Sequence, residues 1–251
     1  MVKLLDIQID NLTMQEALAR LEEFVSSKKP HLIVTPNPEM IVDAQTKPAF
    51  KALINSADLR LPDGISMVVV SKILGIPLKE RVSGIDFMLK ACALSAQKGY
   101  RVFLLGSQPG IARKAAEMLV HDYPGLNIAG SHHGYFKPED DMAIVARIKN
   151  AKPDILFAGL GHGRQERWLA EYLLELNVPA CAGIGGSLDV ISGEKKRAPR
   201  WAQSLYIEWL YRLICEPWRC RRQAALIKFL WLVFGPGFFY NRNKTQKGPE
   251  G

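Results

Sequence analysis

The chain has 251 residues, 48% of them hydrophobic, and a formal net charge of +8 at pH 7. That length suits one large domain, or one domain with an appendage, and the apolar share supplies a core and excludes a disordered chain. The charge is uneven: residues 195–228 carry nine Lys and Arg against Glu208 and Glu216, whereas residues 1–194 hold 21 basic and 22 acidic side chains. The body is therefore close to neutral, and the C-terminal segment is a cationic module interleaved with Trp and Tyr. Such a module calls for an anionic surface: nucleic acid, lipid head groups or a phosphate-bearing substrate.

The N-terminal stretch MVKLLDIQIDNLT has no uninterrupted apolar run of signal-peptide type, so the chain is expected to stay in the cytoplasm. Thr13 to Glu16 fits a capping box, and a helix is expected through about Ser26. His31 to Val34 reads as a buried strand, Glu39 to Gln45 and Ala49 to Ser56 as helices, and Leu59 to Leu61 as a short strand. Helices are expected over Ile65 to Leu74 and Asp86 to Gln97. Strand and helix then alternate: Arg101 to Leu105, Ile111 to His121, Asn127 to Ala129, Asp140 to Lys149, Ile155 to Ala158, Gln165 to Leu176 and Val178 to Ala182. This order predicts an α/β fold, a Rossmann-like, mostly parallel sheet with helices on both faces.

Ala224 to Tyr240 reads AALIKFLWLVFGPGFFY. It is shorter than the ~20 apolar residues that a spanning helix needs, carries Lys228 and is broken at Gly235-Pro236-Gly237. It reads as an interfacial helix lying on a bilayer, or as a helix packed on the body or on another subunit. The expected division is a catalytic domain over 1–194 and a basic, aromatic helical appendage over 195–251. Cys92, Cys181, Cys215 and Cys220 form no C-x-x-C pair and read as buried or incidental thiols in a reducing compartment.

In parallel sheets, ligands bind at the carboxyl ends of the strands. Here those ends read Thr35-Pro36-Asn37-Pro38-Glu39, Pro62-Asp63-Gly64, Gly106-Ser107-Gln108-Pro109-Gly110, Gly161-His162-Gly163-Arg164-Gln165-Glu166 and Gly183-Ile184-Gly185-Gly186-Ser187-Leu188-Asp189. Glycines after a strand let backbone N–H groups approach a phosphate, and several such turns together point to a nucleotide or nucleotide-sugar site. Neither G-x-G-x-x-G nor G-x-x-x-x-G-K-[ST] occurs at the expected turns, so a standard dinucleotide or P-loop site is not indicated.

Asp63 is the residue that chemistry alone selects, since a carboxylate at a strand end between Pro and Gly can serve as a general base. It can equally cap the helix that begins near Gly64. Thr35 and Asn37 are either substrate hydrogen-bonders or turn and cap residues. His132 and His133 are adjacent and are expected to point different ways, which argues against a shared metal. No Asp-x-Asp diphosphate clamp occurs, and neither metal nor cofactor is expected.

Taken in order, these motifs resemble the bacterial glycosyltransferases of the WecG/TagA/CpsF family. The stretches that carry the resemblance include Thr35 to Glu39, Asp58 to Gly64, Glu80 to Asp86, Phe103 to Gly106 and Gly134-Tyr135-Phe136. Further on they include Gly161 to Glu166, Gly183 to Asp189, Arg197-Ala198-Pro199, Glu208 to Leu213 and Glu216 to Arg219. The resemblance implies transfer of N-acetylmannosamine, with inversion, from a UDP donor onto a polyprenyl-diphosphate-linked N-acetylglucosamine. It also implies an appendage that closes over the site and docks on the inner face of the membrane. By the same resemblance Asp63 is the general base, and Thr35, Asn37 and Gln165 sit near the sugars. Gly106, Ser107, Tyr135, Gly161, Glu166, Gly185, Gly186 and Asp189 fall in the donor-binding stretches. Arg212, Arg219 and Arg222 would hold the lipid diphosphate and stabilise the UDP leaving group. Gly163 is a departure, because the family commonly has proline there; glycine is expected to make that turn more mobile and leaves the donor sugar open. Partners of the implied enzyme are the donor, the lipid acceptor and an anionic membrane; the sequence leaves a homo-oligomer open. A nucleic-acid-binding protein is the alternative of a different class, and it would leave the strand-end motifs without a purpose.

Overall fold

A computed structural model describes residues 1–199, Tyr211 and 220–235, with no account of the side chains of 220–223. The chain opens with a small antiparallel hairpin, β1 (Val2–Leu4) and β2 (Ile7–Ile9), that the sequence reading did not anticipate. Its two turn residues, Leu5 and Asp6, both have positive φ, the geometry a two-residue hairpin turn demands, without the glycine that usually signals it. The capping box forms as expected: Thr13 accepts from the Glu16 N–H, and the Glu16 carboxylate accepts from the Thr13 N–H at 2.7 Å, starting α1 (Met14–Ser27).

The main elements follow as β3 (His31–Val34), α2 (Pro38–Thr46), α3 (Pro48–Ser56), β4 (Leu59–Arg60), α4 (Ile65–Ile73) and α5 (Gly84–Lys98). Then come β5 (Arg101–Gly106), α6 (Ile111–Asp122), β6 (Asn127–His132), α7 (Asp141–Ala151), β7 (Ile155–Gly159), α8 (Arg164–Glu171), α9 (Leu173–Leu176), β8 (Ala180–Gly183) and α10 (Ser187–Ile191). The last described helix, α11, spans Cys220–Phe234. Strands β3 to β8 form one sheet in the order β4-β3-β8-β7-β5-β6, with every pairing parallel.

Both faces of the sheet are buried, so its strands read as unbroken apolar runs. Leu32, Val34, Phe103, Leu105, Leu156 and Ala158 point into one core, shared with α2, α3, α4, α7, α8 and α11. Ile33, Val102, Leu104, Ile155 and Phe157 point into the other, shared with α1, α5, α6 and α10. The chain therefore leaves β3 and β7 for one face and β5 and β8 for the opposite face. Neighbouring strand ends whose connections part in this way leave a crevice between them, where ligands of such sheets bind.

Four further differences from the sequence reading appear among the described residues. β6 runs three residues further than expected, through His132. The single helix expected over 165–176 divides at Tyr172, where Trp168 Nε1 and the Tyr172 hydroxyl both donate to the Asp141 carboxylate, at 2.9 and 3.2 Å. The short helix α10 is new. α11 is neither wholly interfacial nor wholly buried. It packs against α2 with Phe229 and Val233 sealed in the core, while Ile227 and Trp231 are 70% and 62% exposed. No helix among the described residues is long and apolar enough to cross a membrane.

Candidate active site

A cavity of about 960 Å³ opens at the carboxyl ends of the parallel strands. Its first wall comes from β3 and β4. The Thr35 hydroxyl is buried and donates to the Gly183 carbonyl at 3.2 Å, so Thr35 ties the end of β3 to the end of β8. Asn37 is the N-cap of α2, its side-chain oxygen accepting from the Met40 N–H at 3.0 Å, yet it also lines the cavity. The cap reading and the site reading of Asn37 are thus compatible. The Asp63 N–H donates to the Pro36 carbonyl at 3.0 Å, which fixes the end of β4 beside that of β3. The cap of α4 is Gly64, with φ +133° and no side-chain cap bond, so Asp63 stands one position ahead of the cap and lines the cavity.

The second wall is built by the turns after β5 and β7. Gly106 has φ +144°, and a Cβ placed on it would lie 2.4 Å from the Gly159 carbonyl oxygen. Its role here is close approach of two strand ends; it lies behind the wall, which Ser107 forms instead. The Ser107 N–H donates to Gly159 at 3.1 Å and its carbonyl accepts from Gly134 at 2.8 Å. α6 begins at Gly110 with no side-chain cap, and its first residue, Ile111, lines the cavity. That helix terminus presents N–H groups and a positive dipole end to any anion bound there. Arg164 donates to the Gly134 and Phe136 carbonyls at 2.9 and 3.1 Å and lies 4.8 Å over the Phe136 ring. This clamp presents Tyr135 between them, lining the cavity and 67% exposed.

The third wall holds the Gly161-to-Glu166 turn. Gly163 has φ +72°, and its N–H donates to Glu166 Oε2 at 2.8 Å. The turn is pinned rather than loosened by its glycine. A proline, with φ near −65° and no N–H, reproduces neither feature. Glu166 is 1% exposed, and burial raises its pKa above the ordinary carboxylate range, against the pull of its bonds to Gln165 and Gly163. Gln165, expected to touch a sugar, is 3% exposed and already engaged. Its Nε2 donates to Glu166 Oε1 at 2.8 Å and its Oε1 accepts from the Gly185 N–H at 3.0 Å. It therefore shapes the turn after β8, and the Gly185 N–H is spent on Gln165 rather than offered to a phosphate. Gly161, Gly185 and Gly186 line the cavity, as does Asp189, whose carboxylate holds Lys195 at 2.9 Å.

Lys195, Lys196, Arg81, His162 and Tyr211 also line this cavity and were not singled out as site residues from the sequence. Their signal was present only as the basic run and the shared motifs. His162 reaches Asp43 on α2 at 3.1 Å. The two adjacent histidines do not diverge as expected: β6 ends at His132, strand alternation stops there, and the rings lie 4.3 Å apart. Arg212, Arg219 and the side chain of Arg222 lie outside the described residues. Cys92 and Cys181 are buried free thiols, and burial pushes the Cys92 pKa up to about 12.

Residues 2–243 match the sequence profile described as the glycosyl transferase WecG/TagA/CpsF family. The chain is 37% identical over 210 residues to an N-acetylglucosaminyldiphosphoundecaprenol N-acetyl-beta-D-mannosaminyltransferase of Bacillus spizizenii, a match that covers 84% of this chain and 81% of that one. It is 35% identical over 234 residues to the protein of the same description from Staphylococcus aureus, covering 92% and 91%.

Proposed function

The chain belongs to the WecG/TagA/CpsF glycosyl transferase family, and from that premise we propose that it transfers N-acetylmannosamine from a UDP donor to undecaprenyl-diphosphate-linked N-acetylglucosamine. The observation that carries this reading is one cavity lined by Asp63, Thr35 and Asn37 on one side and by the β5, β7 and β8 turns on the other. Its volume of about 960 Å³ accommodates a nucleotide sugar.

In this reading Asp63 takes the proton from the acceptor hydroxyl as that oxygen attacks the anomeric carbon. The new C–O bond forms on the face opposite the breaking bond to phosphate, so the configuration inverts and UDP departs with the electron pair. Tyr135, exposed and clamped, offers its ring as a stacking surface for the uracil. The start of α6 and the cationic run at Lys195 and Lys196 oppose the charge that develops on the diphosphate. Arg212, Arg219 and Arg222 fit the same work, with bidentate contacts to phosphate oxygens. Residues 195–251 would act as the cap over this site.

The same segment supports docking on an anionic membrane. α11 buries Phe229 and Val233 and turns Ile227, Lys228 and Trp231 outward, which places apolar side chains and a cation on one exposed face. Replacing Ile227 and Trp231 together by serine is expected to weaken partition onto vesicles with anionic lipid by about tenfold or more, from lost apolar burial. Vesicle sedimentation of the full chain checks this, and unchanged partition would assign that face to another surface.

A transfer assay tests the main reading. UDP-N-acetylmannosamine and a short-chain lipid-diphosphate N-acetylglucosamine are incubated with the protein in EDTA, and products are read by mass spectrometry. A disaccharide lipid is expected. Product only from the uronic acid form of the donor would move the assignment to that sugar.

A further inference from the structure

The wall of the cavity nearest the C-terminal segment is a strap. Glu194, Lys195 and Lys196 follow α10 and line the cavity, and Ala198 just beyond them is buried. Lys195 holds this strap at one end: its N–H donates to the Asp189 carbonyl at 2.9 Å and its ammonium to the Asp189 carboxylate at 2.9 Å. Arg197 holds it at the other, with Nη2 donating to Asp86 Oδ1 on α5.

Asp86 is well placed for this task. It stands in the first turn of α5, and its second oxygen accepts from the hydroxyl of Ser83, the N-cap of the same helix. Burial works against its charge, but the Ser83 hydroxyl and the Arg197 guanidinium hold its carboxyl below the usual range. Ser83 and Gly84 line the cavity, and a Cβ on Gly84 would lie 3.5 Å from Thr35 Cγ2. The ion pair therefore fastens the strap to the corner that carries Thr35. Tyr211, further along the chain, returns to the same cavity.

We propose that Arg197 and Asp86 are positioning residues. Their ion pair fastens the strap, so that its two lysines face the donor's diphosphate. This rests on the UDP-donor reading. The Arg197 and Asp86 side chains are 27% and 38% exposed, and a pair that open to solvent adds little to global stability. Its effect belongs in local order and donor affinity rather than in melting.

The test uses the full chain with Asp86→Asn, Arg197→Met and Arg197→Lys. Calorimetry reads UDP binding, the transfer assay gives donor KM and kcat, and limited trypsin digestion reads cleavage after Lys195 and Lys196. In Asp86→Asn and Arg197→Met, UDP affinity is expected to fall about tenfold, donor KM to rise by a similar factor, and kcat to fall severalfold as the lysines lose their place beside the leaving diphosphate. Cleavage in the strap is expected to quicken about tenfold while other sites keep their rates. Arg197→Lys should keep most of the affinity, since the charge remains. Unchanged affinity and strap cleavage would overturn the proposal, and so would faster cleavage at every site together, which would mark a general loss of stability. If wild type binds no UDP, the donor reading fails by itself, and the digestion still decides whether the strap is fastened.

Discussion

Asparagine at position 63 is expected to lower turnover about a thousandfold while leaving UDP affinity within about threefold, the signature of a lost general base. The exchange keeps the size and shape of the side chain and removes its ability to take a proton. The backbone on either side is held by its own bonds: the Asp63 N–H donates to the Pro36 carbonyl, and the next helix takes its cap from Gly64. Single-turnover kinetics beside calorimetry separate the two quantities. Turnover near that of wild type would remove Asp63 from the chemistry. Loss of UDP binding along with turnover would show instead that the side chain organises the cleft.

Alanine at position 106 should have the largest effect on folding. Two independent costs coincide there. The backbone sits at φ +144°, which an L side chain rarely adopts, and the new methyl would meet the Gly159 carbonyl oxygen at 2.4 Å. Strain and overpacking of this kind cost about 1–3 kcal/mol each. In a chain of this size the sum lowers the melting temperature by roughly 10 °C, which a thermal scan followed by circular dichroism measures. The methyl meets a backbone carbonyl of the adjacent strand and has no rotamer of its own, so no side-chain movement relieves it. A melting point within about 2 °C of wild type would contradict the close approach of β5 and β7.

Sequence periodicity revealed most of the fold because it is written locally. Ile33, Val34, Val102 to Leu105 and Ile155 to Phe157 are apolar in unbroken runs, as strands buried on both faces must be. Thr13 and Glu16 announced α1 through a bond between neighbours in sequence. The hairpin at Val2 to Ile9 was not legible, since its turn uses Leu5 and Asp6 where glycine or asparagine is the usual signal. The site was legible as a set of strand ends but not as a set of tasks. The family resemblance put Gln165 near the sugars, and it does line the cavity. Its engagement with Gly185 and Glu166 depends on β8 lying beside β7, a long-range fact. The bond from the Gly163 N–H to Glu166 spans only three positions, the spacing of a capping box, and was open to the same local reading as Thr13 and Glu16. Arg197 and Asp86 lie 111 positions apart, and nothing near either one names the other.

The strand order has a consequence for how the protein comes into being. β8 is the last strand of the sheet in sequence yet sits near its middle, between β3 and β7. Without it the sheet is two separate parts, β4-β3 and β7-β5-β6, since β8 alone pairs with both. The last strand must then thread into a central slot rather than add to an edge, which demands contacts distant along the chain and favours slow assembly. Thr35 cannot reach its carbonyl partner, nor Gln165 its amide, until Gly183 and Gly185 arrive. A fragment that stops before Gly183 therefore lacks the bonds that join the two halves of the cleft.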